Sequence, residues 1–293
     1  MSARTASVTG KIIVSGEYAM LFGKPGIAFP SHHWLGVTWK RDRKRGTDIV
    51  WPQMPDKDPW MTYLREIIKR CDTGERIAGT ISIENHIPLG KGMGSSTALV
   101  AAVCKALLGD DCRKEALAIE NDLNPGNSGM DFAVIWERQP VYFQKGRDPV
   151  ALGMPGEVLE KGILIDTGMP NETTPELVAW IRSRENECKE AIEIIGKCTE
   201  RLAGGERMET VIKDHHRAQV MLGVVPPHVA DFIAAIERTG GSAKVIGAGG
   251  RTGGGGMVLA LHDKPDEIHK LIEPEPDWVL PKDISPSDGA ETR

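Results

Sequence analysis

A chain of 293 residues with 40% hydrophobic residues is long enough for two ordinary domains and apolar enough for a substantial core. A net charge of −5, with acids and bases interspersed, offers no nucleic-acid face. No apolar run approaches the roughly 18 residues of a membrane span, no leader is evident at the N-terminus, and five cysteines without a C-x-x-C pair suit reduced thiols, so a cytoplasmic location is expected.

In chain order, Ser7 to Ser15 reads as a strand carrying Lys11, followed by a turn-rich segment from Gly16 to Gly26. Two strands are expected at residues 27–30 and 35–39, with His32 and His33 between them and a basic hairpin tip from Lys40 to Arg45. Asp58-Pro59 opens a helix as N-cap and first helical residue. Trp60, Tyr63, Leu64, Ile67, Ile68 and Cys71 repeat along it at helical spacing.

A strand at residues 81–84 then leads into Pro88-Leu89-Gly90-Lys91-Gly92-Met93-Gly94-Ser95-Ser96-Thr97. An apolar helix follows from Ala98 to Leu108. Strand, glycine loop, helix is the order that turns backbone N–H groups and a helix dipole toward an anion, and the loop reads as a phosphate cradle. Taken alone it also suits a tight turn with a serine N-cap. No Lys-Ser/Thr pair closes it, so it is not a Walker A loop.

A helix at residues 112–121 ends in Ile119-Glu120. Asn124 to Gly129 is a turn, and Met130 to Ile135 is expected as a strand beginning with Asp131, paired with Pro140 to Phe143. Glu120 and Asp131, taken alone, also suit surface carboxylates. Looser composition near residue 150 marks the expected boundary, giving domains at 1–150 and 151–293. Beyond it come a strand at 158–165, Asp166-Thr167-Gly168, and one long helix from Thr174 past Ile195. A helix at 206–221 carries His215 and His216, read as a partly exposed pair, and Pro227 opens another helix. Strands at 244–246 and 257–261 flank Gly247-Ala248-Gly249-Gly250-Arg251-Thr252-Gly253-Gly254-Gly255-Gly256. So many glycines exceed what a hairpin needs, and the backbone there must admit a close approach. A helix at 264–272, a strand at 278–284 and a loose tail at 285–293 complete the chain.

Gly10-Lys11 with Gly16-Glu17-Tyr18, then Pro88 to Thr97, then Lys244 to Gly256 together resemble the GHMP kinase superfamily over about residues 7–262. Gly23-Lys24-Pro25-Gly26-Ile27-Ala28 and the interval from Glu120 to Ser128-Gly129-Met130-Asp131 are most similar to the mevalonate kinases, and Asp166-Thr167-Gly168 with Thr173-Thr174 resembles an element of both mevalonate and phosphomevalonate kinases. The resemblance implies an α+β fold of two lobes, ribosomal-protein-S5-like at the N-terminus and ferredoxin-like at the C-terminus. It implies phosphoryl transfer from ATP to an alcohol, with a mevalonate-like hydroxy acid as acceptor.

ATP would then meet Pro88, Gly90, Lys91, Gly92, Met93, Gly94, Ser95, Ser96 and Thr97. Mg2+ would be held by Ser96 and Glu120. Asp131 would orient or deprotonate the acceptor hydroxyl, and Lys11 would stabilise charge on its oxygen. Glu17, Tyr18, Gly247, Ala248 and Gly249 would lie at the acceptor. A homodimer is a family habit to be tested; neither a nucleic-acid nor a membrane partner is expected. Tyr18, Arg251 and the run Lys40 to Arg45 favour a phosphomevalonate kinase instead, and a non-catalytic nucleotide-binding regulator is the reading from another class.

Overall fold

The computed structural model describes residues 3–42, 46–52, 54–72, 74, 77–152 and 162–272. The fold is α+β and forms two compact units that interleave along the chain. The described residues of the first fall within Met1–Lys11, His33–Leu89 and Gly94–Arg138, and those of the second within Ile12–His32, Gly90–Met93 and Gln139–Arg293. A single cut near residue 150 does not describe this division. Strands β1 (Ala3–Ser15) and β2 (Gly26–Arg41) each contribute to both units, and a long strand carries no glycine or proline punctuation that would mark such a crossing. The expected strands at 27–30 and 35–39 are parts of β2, which continues through Pro30 to His33. Lys40 and Arg41 end it, and Arg43, Lys44 and Arg45 lie outside the described residues.

In the first unit, Leu35–Arg41 of β2 pairs antiparallel with β4 (Gly79–Asn85), and β3 (Thr47–Val50) runs parallel to β4. Helix α1 (Pro59–Cys71) starts where the Asp58 carboxylate accepts the Trp60 N–H at 2.8 Å. It buries Met61, Leu64, Ile67 and Ile68 along one stripe. Helix α2 (Ser95–Leu108) is buried nearly all round and packs against α1, α3 (Arg113–Leu123) and α4 (Met130–Glu137). Its Leu99, Val100 and Val103 are fully shielded, each contributing roughly 1.5–3 kcal/mol of apolar burial.

Helix α4 stands where a strand is expected at residues 130–135. Its buried run Met130, Phe132, Ala133, Val134 and Ile135 is almost continuous, and continuous burial erases the periodicity that separates the two states. Local chemistry decides: Gly129 takes a left-handed φ of 90° as N-cap, and the Ser128 hydroxyl accepts the Met130 N–H at 3.2 Å.

In the second unit, β5 (Val141–Phe143) pairs with Gly26–Ala28 of β2 and with β6 (Val150–Ala151). Then follow β7 (Gly162–Asp166), α5 (Thr174–Ser183), α6 (Glu185–Ala203), α7 (Met208–Leu222), α8 (Pro227–Arg238), β8 (Ser242–Val245), β9 (Met257–Leu261) and α9 (Pro265–Ile272). Strand β9 is the centre of a three-stranded antiparallel sheet, between β7 and β8. Ile165, Val229, Ile233, Ile236, Val258 and Ile268 form one core of this unit. Tyr18, Leu177, Ile181, Ile192, Ile195 and Leu222 form a second. The expected long helix is two, α5 and α6, broken at Arg184. No glycine or proline announces the break. The Ser183 hydroxyl donates to the Trp180 carbonyl at 2.8 Å, and the Arg184 Nε to Glu187 at 2.8 Å. The expected strand at 278–284, the tail beyond it and the loose segment at 153–156 lie outside the described residues.

Candidate active site

The stretch from Pro88 to Thr97 carries the chain from β4 into α2. Gly90, Gly92 and Gly94 take left-handed φ values of 70°, 84° and 74°, a region that residues with a Cβ enter at a cost. Space forbids a side chain as well. A Cβ on Gly92 would lie 2.6 Å from the Ile246 carbonyl oxygen, and one on Gly94 2.9 Å from Lys11 Cγ. Gly94 is the N-cap of α2 and brings no side-chain cap, so the positive end of the α2 dipole opens at the loop. Ser95 and Thr97 are buried there, while Ser96 is half-buried.

Two loop side chains expected at ATP are engaged elsewhere. The Lys91 ammonium is ion-paired with Asp166 at the end of β7, and the Lys91 carbonyl accepts the Met257 N–H at 3.3 Å. Met93 is fully buried. These residues serve the loop by holding its backbone.

Asp131 lies in the first turn of α4, where a negative charge is favoured. From β1, Lys11 brings its Nζ to 3.3 Å from Asp131 Oδ1. The lysine side chain is 3% exposed and the aspartate 35%. A buried cation therefore sits beneath a carboxylate that reaches solvent.

Glu120 is buried on α3, and its Oε1 accepts the Thr97 hydroxyl proton at 2.8 Å. Its Oε2 has no hydrogen-bond partner among the described residues. The Asn124 amide is near enough to favour the ionised form, but it donates to the Tyr63 hydroxyl at 2.8 Å. Burial pushes the Glu120 carboxyl up to about 7; the Thr97 hydrogen bond opposes this and the Asp131 charge adds to it. An orphaned, buried carboxylate oxygen within the field of a second carboxylate is a site suited to a cation. Among the described residues no group of three or more His, Cys, Asp or Glu could hold a metal alone. That fits Mg2+, which is commonly held by one or two carboxylates, with phosphate and water supplying the remaining oxygens. The hydroxyl bonded to Glu120 belongs to Thr97 and not to Ser96, because adjacent residues on a helix point in different directions.

In the second unit, Glu17 is turned inward, although it is expected at the acceptor. It is 3% exposed, and Lys244 and His215 are fully buried. Lys244 Nζ lies 2.5 Å from Glu17 Oε1 and donates to the Ile13 carbonyl at 3.2 Å; His215 Nε2 lies 3.0 Å from Glu17 Oε2. Burial alone would raise the Glu17 carboxyl, but Lys244 and His215 outweigh it and bring it down to about 2. His215 is lowered by burial and by the Lys244 charge, and burial takes His216 down to about 4. The histidines are therefore buried, not a partly exposed pair. Sequence reasoning passed over Lys244 as a functional residue. Its signal is a lone charge between Ala243 and Val245 in a strand, a placement that demands a partner.

Tyr18 is buried with φ 63°, and its hydroxyl donates to the Ala248 carbonyl at 2.5 Å. Gly247 and Gly249 take φ of 77° and 68°. A Cβ on Gly247 would lie 2.6 Å from Gly92 Cα, and one on Gly249 2.2 Å from the Val224 carbonyl oxygen. The second glycine segment is thus a packed loop. Its Arg251-Thr252 tip is fastened by Glu172, which accepts the Arg251 N–H at 3.0 Å and the Thr252 hydroxyl at 2.8 Å. The Arg251 guanidinium lies 4.4 Å from the centroid of the Trp180 ring.

Residues 62–137, which include the glycine loop, Glu120 and Asp131, match the family model of the GHMP kinases N terminal domain. The chain is 29% identical to the mevalonate kinase of Archaeoglobus fulgidus over 309 aligned positions, covering 94% of this chain and 98% of that one. The fold is similar to the crystal structure of Methanococcus jannaschii mevalonate kinase, with a TM-score of 0.80 at 20% identity, covering 95% of this chain and 97% of that one. It is also similar to L. major mevalonate kinase crystallised with R-mevalonate, with a TM-score of 0.69 at 16% identity over 96% and 95% of the two chains. With a glycine loop feeding a helix dipole, a lysine–aspartate pair and a buried glutamate, residues 62–137 match the N-terminal domain of the GHMP kinases, and over nearly its whole length the chain is similar to mevalonate kinases.

Proposed function

We propose that this protein is an ATP-dependent kinase that transfers the terminal phosphoryl group of ATP to the primary hydroxyl of mevalonate, giving 5-phosphomevalonate and ADP. The observation that carries this reading is the Lys11–Asp131 pair, a buried ammonium 3.3 Å from a solvent-reaching carboxylate. An alcohol entering at Asp131 can hand its proton to Oδ1 or Oδ2. A carboxylate is far too weak a base to ionise an alcohol beforehand, so the proton moves as the new P–O bond forms. Lys11 holds the carboxylate in place and stabilises negative charge developing on the acceptor oxygen.

The loop from Gly90 to Ser96 and the α2 N-terminus would bind the phosphates of ATP. Glu120, with water and phosphate oxygens, would hold Mg2+, which neutralises charge on the transferring phosphoryl group when bound. The half-buried Ser96 hydroxyl remains a candidate ligand in that shell. The relatives that align over nearly the whole chain are mevalonate kinases, which supports mevalonate as the acceptor. Two of the residues that favoured a phosphorylated acceptor are committed elsewhere: the Tyr18 hydroxyl to Ala248, and the Arg251 guanidinium to Trp180. The test is product analysis after incubation with mevalonate and Mg-ATP. A single new phosphomonoester on the mevalonate hydroxyl is expected; ATP hydrolysis without a phosphorylated organic product would overturn the proposal.

A further inference from the structure

The Glu17–Lys244–His215 cluster is the most completely buried charged group among the described residues, and the chemistry above does not use it. Its members come from the turn after β1, from α7 and from β8. Glu17 stands between two residues of unusual backbone, Gly16 at φ 112° and Tyr18 at φ 63°. For tyrosine a positive φ is strained, and such strain persists only where the surroundings over-determine it. Here they do so from both sides. A Cβ on Gly16 would lie 2.4 Å from Gly26 Cα, and the Glu17 carboxylate is gripped by an ammonium and an imidazole. The Tyr18 hydroxyl is thereby aimed at the Ala248 carbonyl at 2.5 Å. Lys244 begins the run that leads through Val245 and Ile246 into Gly247, and Gly247 abuts Gly92 of the phosphate loop.

We infer that Glu17, Lys244 and His215 are positioning residues: they lock Tyr18 in its left-handed conformation so that its hydroxyl fixes the first turn of the second glycine loop, Gly247–Gly250, against the crest of the phosphate loop. The inference rests on the kinase reading for its kinetic consequence, but its structural core does not. Ala248 offers only a methyl group, half-buried against the core that includes Tyr18 and Leu177, and Gly247 and Gly249 bring no side chains with which to hold the turn. Beside the bond from the Gly250 N–H to the Val224 carbonyl, the Tyr18 hydroxyl supplies a side-chain tether for this turn. The other half of the loop is tethered separately, by Gly254 N–H to the Met169 carbonyl at 2.8 Å and Gly256 N–H to the Gly168 carbonyl at 3.0 Å.

That separation supplies the test, amide hydrogen exchange on the whole protein without substrate. In Tyr18→Phe the Gly250 amide, bonded to the Val224 carbonyl at 3.0 Å, is expected to exchange about tenfold faster, the effect of losing one buried hydrogen bond. Gly254 and Gly256 should keep their wild-type rates. Glu17→Gln removes the charge with little change in shape and should produce the same local pattern; where it fails to fold, Tyr18→Phe carries the test alone. Unchanged exchange at Gly250, or equal acceleration at all three amides, would overturn the inference. A kinetic readout separates positioning from bulk stability: Tyr18→Phe should lower kcat about tenfold and leave KM for ATP within twofold. Failure of the kinase reading would show as absent turnover in the unaltered protein, with the exchange pattern intact.

Discussion

Replacing Glu120 by glutamine should change how stability depends on pH more than it changes stability itself. The Glu120 carboxyl ordinarily titrates at 4.5 and is raised in the fold to about 7. A group raised on folding holds its proton more tightly in the native state than in the unfolded chain. Its stabilising contribution is complete below the unfolded value and is lost as pH climbs from about 4.5 through about 7. At about 1.4 kcal/mol per pH unit, the ionised form above pH 8 costs the fold roughly 3 kcal/mol. Glutamine bears no charge at any of these pH values. It can still accept from Thr97, although its amide nitrogen has no obvious acceptor, at a cost of roughly 1–3 kcal/mol at every pH. The useful quantity is therefore the difference between two urea titrations, at pH 5 and at pH 8.5, without divalent cation. Relative to Glu120→Gln, the wild-type protein should lose roughly 3 kcal/mol between them. Binding of Mg-ATP near pH 7 should release protons from the wild-type protein and none from the variant's residue 120. Parallel pH profiles for the two proteins would refute the argument, because the Glu120 carboxyl would then be ordinary.

Asp131→Asn should lower turnover by roughly 10²–10⁴ while ATP binding, measured by calorimetry, stays within a few-fold of wild type; near-normal turnover would remove Asp131 from the chemistry. Lys11→Met takes away the ammonium 3.3 Å from Asp131 and should cost roughly 10²–10³ in kcat, read by the same coupled assay with KM for ATP little changed. Gly94→Ala places a Cβ 2.9 Å from Lys11 Cγ at a φ of 74°. It should destabilise by more than about 1 kcal/mol and depress turnover by displacing Lys11, both measured on the purified variant. Lys91→Met breaks the ion pair with Asp166 and should raise KM for ATP several-fold; restoration by Lys91→Arg would separate the positive charge from the length of the side chain.

Much of the first unit and of the phosphate loop is legible in the chain because the signals are local. Asp58-Pro59 announces α1 at a defined residue, and the alternation of glycines in Pro88 to Ser95 matches three left-handed conformations that only glycine takes cheaply. Lys11, Glu120 and Asp131 were picked out by motif order. What escaped was decided by tertiary context. Helix α4 looks like a strand in sequence because its burial is nearly continuous, and α5 and α6 look like one helix because Arg184 carries no breaker signal. Nothing near Glu17 in sequence shows that Lys244 and His215, 227 and 198 residues away, meet its two oxygens. Long-range pairing of buried charge leaves no periodicity to read. The Thr97 hydroxyl on Glu120 is absent from the motif reading, because a buried side-chain hydrogen bond between two helices leaves no spacing to read.

The most direct measurement is ADP release by the purified protein with Mg-ATP, with mevalonate and 5-phosphomevalonate supplied separately at equal concentration. Turnover with mevalonate and none above background with 5-phosphomevalonate is expected. Turnover with 5-phosphomevalonate alone, or with neither acceptor while ATP still binds, would contradict the account.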